Sequence, residues 1–204
     1  MADEFDYNSL LLDIQRSTTF YEMDDFEKYL EKLIEIDKND EIAIENWRLN
    51  ASKTKPKNII DLFEDDIREG SQTTRLMFKR SFFVSLYSIS EKRINKINRT
   101  IDSNSKSNYK FDKLKKYFKS KTGIDLPSLD KYTEFNVLRI INNKIKHSDE
   151  INIDFDFDNI DDKVLSDLKL DRGKPLDFDK IASNKIVGYT RQFLSDYIKK
   201  FEEL

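Results

Sequence analysis

Apolar residues recur three and four positions apart through most of the chain, which predicts helices rather than strands. Met23, Phe26, Tyr29, Leu30, Leu33 and Ile34 form such a stripe, on a helix starting near residue 24 with Asp24 or Asp25 as cap. A second short helix is expected over 40–49, holding Ile42, Ile44 and Trp47. Residues 51–57 have turn composition and make the best linker candidate. A long helical region follows over 59–101, bent or broken at Gly70-Ser71. Its second half carries Phe82, Phe83, Leu86, Ile89, Ile94 and Ile97, the most apolar part of the chain and the expected central core helix.

Beyond a polar loop at 102–108, a basic helix is predicted over 109–120, stopping at Gly123. Pro127, acceptable in a first turn, opens a helix over 128–147. Residues 151–158 alternate apolar and polar, the pattern of a short extended segment. A short helix over 161–168, a turn at 172–175 and a last helix over 178–201 complete the expectation. The fold class is therefore all-α: a helical bundle with an acidic N-terminal helical extension, divided as 1–56 and 57–204.

Composition supports this picture. The 204 residues fit one domain, or one domain plus an arm. Fifteen Phe and nine Tyr supply core bulk, since each buried ring removes roughly 150–250 Å² from water. Only four Gly and three Pro leave little turn chemistry for a many-stranded sheet. With no cysteine, disulfides and thiolate metal sites are excluded. The acidic N-terminus lacks the basic-then-apolar order of a signal peptide, and the apolar run 82–89 is too short to span a bilayer, so a cytoplasmic location without membrane contact is expected.

Net charge is only −3, yet it is unevenly spread. Residues 1–66 hold 18 Asp/Glu against 8 Lys/Arg, whereas 92–121 hold 11 Lys/Arg against Asp102 and Asp112 alone. That basic run, interleaved with Tyr109, Phe111, Tyr117 and Phe118, suits either a nucleic-acid backbone with stacked bases or a solvated helix face whose rings point to the core. Asp154, Asp156, Asp158, Asp161 and Asp162 do not make an EF-hand loop, because Asn159 and Leu165 stand where Gly and Glu are needed. No metal or cofactor site is expected.

One helix end carries candidate chemistry. At about 100° per residue, Val137, Leu138, Ile141 and Ile145 cluster on a core-facing side. Arg139, Asn143 and His147 fall at i, i+4 and i+8 on the other, with Lys146 between. These groups suit metal-free RNA cleavage. An imidazole takes the 2′-hydroxyl proton, a cation stabilises the phosphorane, and an acid protonates the leaving 5′-oxygen. His147 is the one histidine in the chain, so a two-histidine mechanism needs a second subunit. The plainer alternative is a helix C-terminus that favours cations through its macrodipole, by roughly 0.3–1 kcal/mol.

The string Leu138-Arg139-Ile140-Ile141-Asn142-Asn143-Lys144-Ile145-Lys146-His147 resembles the signature helix of the all-helical HEPN superfamily, whose motif is Arg, four to six residues, then His. The resemblance extends over about residues 80–204, through the preceding apolar helix with Glu91 and the amphipathic C-terminal helix. It implies a HEPN-like domain acting on RNA, as a metal-independent endoribonuclease of a toxin–antitoxin or phage-defence system. It also implies a homodimer around the motif and a protein partner, an antitoxin or defence component. His147 and Arg139 would be catalytic, with Asn142, Asn143 and Lys146 at the phosphate. Family members that have lost catalysis serve as binding or regulatory modules, and this is the alternative. One departure bears on the choice: seven residues separate Arg139 from His147, and the position leaving four between is the uncharged Asn142.

Overall fold

The structure is a computed structural model that describes residues 7–105, 110–147, 157–178 and 180–204. The protein is all-α. Among the described residues lie six helices and no strand: α1 Tyr7–Ala51, α2 Lys57–Ile101, α3 Phe111–Thr122, α4 Tyr132–His147, α5 Asp162–Leu168 and α6 Ser183–Glu202. A 3-10 turn, Leu126–Ser128, precedes α4. The expected extended segment at 151–158 falls almost wholly outside the described residues. Two compact units form: Met1–Glu27 together with Phe83–Leu204, and Lys28–Phe82.

Several helix boundaries differ from the sequence expectation: α6 begins at Ser183 rather than 178, and three other differences have a physical reason. The two short helices expected near 24 and 40 are one continuous α1. No Gly or Pro occurs from Tyr7 to Ala51, and the polar stretch 37–40 that reads as a break supplies ion-pairing residues. The expected bend at Gly70 is absent too: α2 continues through it unbroken. One interior glycine costs about 1 kcal/mol relative to alanine, too little to stop a helix with partners on either side. Finally, α4 begins at Tyr132, because Pro127 sits in the 3-10 turn and Lys131 takes a left-handed φ of 57° between the two. The end of α3 was legible: Gly123 closes it at φ 72°, its N–H donating to the Lys119 carbonyl.

In the first unit the core is aromatic. Phe135 of α4 stacks on Phe193 of α6 with ring centres 4.2 Å apart. Tyr87 of α2 extends this stack beyond Phe135, and Tyr197, Phe118 and Phe201 continue it beyond Phe193. Tyr197 is fully buried and satisfies its hydroxyl by donating to Asn98 Oδ1 at 2.7 Å. Aromatic pairs of this kind add about 0.5–1.5 kcal/mol beyond the area they bury.

The N-terminal part of α1 joins this unit through charge. Arg93 of α2 is 3% exposed, and its guanidinium is held by both carboxylate oxygens of Glu22, with Gln15 accepting at 3.2 Å. Arg16 pairs with Glu202, and Arg191 with Asp24 and Glu27. The acidic N-terminal residues are thus partly engaged by cations of the bundle, Arg93 of the basic run included.

The second unit is an antiparallel helical hairpin: α1 from 28 to 51, a short turn, and α2 from 57 to 82. Leu33, Asp37, Asp40, Ile44, Trp47 and Ala51 keep the four-three spacing of a coiled-coil seam. Much of the seam is ionic. Arg75 meets Asp37, Asp40 and Glu41; Arg68 meets Glu41 and Glu64; Lys79 meets Asp37 at 2.6 Å.

Removing Glu22 strands a buried cation. Glu22→Ala is expected to lower the unfolding free energy by about 3 kcal/mol, and pairing Glu22→Leu with Arg93→Met to recover most of it. Urea titrations followed by circular dichroism check both.

Candidate functional site

Helix α4 places the proposed site residues in three different environments. Phe135, Val137, Leu138 and Ile141 fill the core side, as the apolar spacing requires. Asn142 goes with them: it is 1% exposed, its Nδ2 donates to Asn143 Oδ1 at 3.2 Å, and its own Oδ1 has no hydrogen-bond partner among the described residues. Asn142 thus lies on the packed side of the helix rather than with the exposed groups at its end. The reason is angular: Asn142 follows Ile141 by one residue and Leu138 by four, inside the buried arc.

Asn143, Lys144, Lys146 and His147 line the C-terminal end of the helix, exposed except for a half-buried residue between them at Ile145. His147 is its last residue, with no hydrogen bond or ion pair among the described residues. Three cationic or titratable groups in the last turn suit the negative end of the helix dipole.

Arg139 lies elsewhere. Its Nε donates to Asn136 Oδ1 at 2.9 Å, one turn toward the N-terminus, and its guanidinium sits 4.5 Å from the centre of the Phe111 ring. Lys115 approaches the same ring at 5.2 Å, and Tyr132 stacks beside it at 6.2 Å. Arg139 lies two turns upstream of His147, about 12 Å along the axis, and its head group turns to Asn136, further toward the N-terminus. Within one chain, Arg139 and His147 are not brought together.

What Arg139 does adjoin is a cleft of about 260 Å³ between α2, α3 and α4, bounded by Tyr87, Glu91, Asn95, Lys110, Phe111 and Phe135. Burial pushes the Tyr87 phenol well above its ordinary value; the Glu91 charge and its hydrogen bond to the phenol add to this, and the nearby Arg139 opposes it. Tyr87 is therefore a neutral donor at physiological pH. Glu91 is hydrogen-bonded to Tyr87, its neighbour one turn earlier on α2. The cleft offers stacking and hydrogen bonding. Among the described residues, no group of three His, Asp or Glu side chains converges to hold a metal ion.

The basic run divides by function. Arg93, Lys119 and Lys121 are ion-paired, and Lys115 lies on aromatic rings. Lys92, Lys96 and Arg99 on α2, and Lys110, Lys113 and Lys116 on or beside α3, have no ion-pair partner among the described residues. Phe118 turns into the core, as its helical spacing suggests, whereas the meeting of Phe111 with Arg139, 28 positions apart, has no signature in sequence. The Tyr87–Glu91 pair did have one, at i and i+4.

Tyr87 links this cleft to stability. Its folded-state pKa lies above the unfolded value near 10, so its contribution is complete below pH 10 and is lost as pH rises further. The stability advantage of the wild type over Tyr87→Phe should accordingly shrink in denaturant titrations above pH 10. An advantage that stays constant through pH 11 contradicts this account. Compared with known proteins, the chain matches no family model, no curated protein and no solved structure.

Proposed function

We propose that this is a HEPN-like helical module that binds RNA and does not cut it. One observation carries the non-catalytic choice: the Arg139 guanidinium is held by Phe111 and Asn136, away from His147 and unable to stabilise a phosphorane there. A missing donor of that kind costs on the order of 10²–10³ in rate. What remains at the end of α4, an exposed imidazole with Lys144, Lys146 and Asn143, can hold a phosphate without driving its transfer.

Support for RNA comes from the resemblance of α4 and from the six cations of α2 and α3 that have no ion-pair partner among the described residues. An overall pI near 5.4 speaks against a general duplex-DNA binder, so binding is by a local patch. As a regulatory module of a defence or toxin–antitoxin system, it would act through a protein partner or a second copy rather than by chemistry of its own.

A second reading has one observation in its favour. His147 is exposed and has no partner among the described residues, so in a homodimer two such helix ends could meet and complete a metal-independent nuclease, with Lys146 of each chain as the cation.

Both are decided by incubating wild type and His147→Ala with single-stranded and structured RNA in EDTA, alongside fluorescence anisotropy. The expected outcome is binding without cleavage by either protein. Replacing Lys92, Lys96 and Arg99 together by alanine should weaken binding about tenfold or more at low salt. The salt dependence should flatten as well, its slope falling by about one for each phosphate no longer held. Cleavage by wild type that His147→Ala abolishes selects the nuclease. Absence of binding at low salt discards both.

A further inference from the structure

The proposed RNA surface leaves the cleft between α2, α3 and α4 without a role. Tyr87, Glu91 and Asn95 stand at i, i+4 and i+8 on α2, so they share one face of that helix and follow one another about 6 Å apart along its axis. Phe135, which stacks on Tyr87 with ring centres 5.8 Å apart, and Phe111 add two further rings to the lining. At about 260 Å³ the space lies just below the roughly 300 Å³ at which pockets for drug-sized molecules begin. A single small planar group fits it; a helix or strand does not.

Two polar groups reach this cleft with capacity to spare. Glu91 accepts the Tyr87 hydroxyl and has no cation partner among the described residues. An ionised carboxylate accepts about four hydrogen bonds and donates none, so most of its capacity is open. The Asn95 carboxamide, which can donate, makes no side-chain hydrogen bond among the described residues. A carboxylate beside an amide donor matches a ligand edge with two N–H donors next to a carbonyl.

Charge narrows the class of ligand. A cation would have to share Phe111 with Arg139 and Lys115, which lie 4.5 Å and 5.2 Å from its ring centre. An anionic group inside the cleft would face Glu91. A neutral planar group with two donors is left. Among the nucleobases only guanine has two adjacent donors, N1–H and the 2-amino group, beside an acceptor, O6. Adenine and cytosine pair one donor with an acceptor on that edge, and uracil flanks one donor with two acceptors. Lys110, exposed at the rim and without an ion-pair partner among the described residues, is placed for the attached phosphate.

We infer that this cleft binds the guanine base of a nucleotide among the rings of Tyr87, Phe111 and Phe135, with Glu91 accepting from N1–H and the 2-amino group and Asn95 donating to O6. The inference stands on the cleft and not on the RNA reading; the base can belong to a free nucleotide or to a single strand.

Calorimetric titration of the full chain with guanosine, adenosine, cytidine and uridine monophosphates reads the preference directly. Guanosine monophosphate should bind about tenfold or more tighter than the other three, the discrimination of one bidentate pair. Inosine monophosphate, which lacks the 2-amino group, should fall between. Glu91→Gln, at an exposed position, should bring guanosine and adenosine monophosphates within about twofold of each other, with helical circular dichroism unchanged. Short uridine strands with and without one central guanosine identify the source. A guanosine preference that disappears when a complementary strand pairs the base assigns the site to unpaired RNA, and a preference confined to monophosphates assigns it to a free nucleotide. Strands that fail to bind at all end the RNA reading and leave the pocket standing. The inference is overturned by equal binding of guanosine monophosphate and either its adenosine or inosine counterpart, by binding of none at millimolar concentration, or by a preference that survives Glu91→Gln.

Discussion

A single buried cation organises the larger unit. Arg93 lies among Phe83, Leu86 and Ile97 of the α2 core helix, where an unpaired guanidinium would cost several kcal/mol. Glu22 answers that cost, and the N-terminal part of α1 must therefore lie against α2 in one register. Gln15, two turns earlier, fixes the same register with a second acceptor. Hydrophobic burial alone would let a helix slide by a turn; a forked donor facing a forked acceptor does not. Arg191 of α6 with Asp24 and Glu27, and Arg16 of α1 with Glu202, tie the same helices at more exposed sites, where pairs contribute less.

Competition for helix faces also shapes α4. Its buried arc is wide enough to take in Asn142, and its next arc is claimed by Phe111, which draws Arg139 toward α3. Only the last turn is left to solvent. A reading of function from this helix therefore depends on three or four residues at one end, not on the whole amphipathic face.

All-helical architecture was legible because periodicity, sparse Gly and Pro, and abundant Leu, Ile and Phe agreed. The turn at 51–57, the stop at Gly123 and the short helix after Asp161 followed from local chemistry, since an αL glycine and an N-capping aspartate act within a few residues. Joining of the two short N-terminal helices was not legible. Asp37 and Asp40 look like loop residues until Arg75 and Lys79 arrive from more than thirty positions away. Arg139 was hidden for the same reason. Its spacing from His147 is a local fact, but its stacking on Phe111 is a tertiary one. Asn142 is polar by type, yet its angle on the helix sets it within the buried arc.

The contrast between an aromatic core in one unit and an ionic seam in the other has a thermodynamic consequence. Dissolved salt screens exposed ion pairs within a Debye length of about 10 Å at 0.1 M, while leaving ring stacking untouched. Stability of the hairpin therefore responds to ionic strength where that of the aromatic core does not, and a stability value quoted for this chain has meaning only with the ionic strength stated.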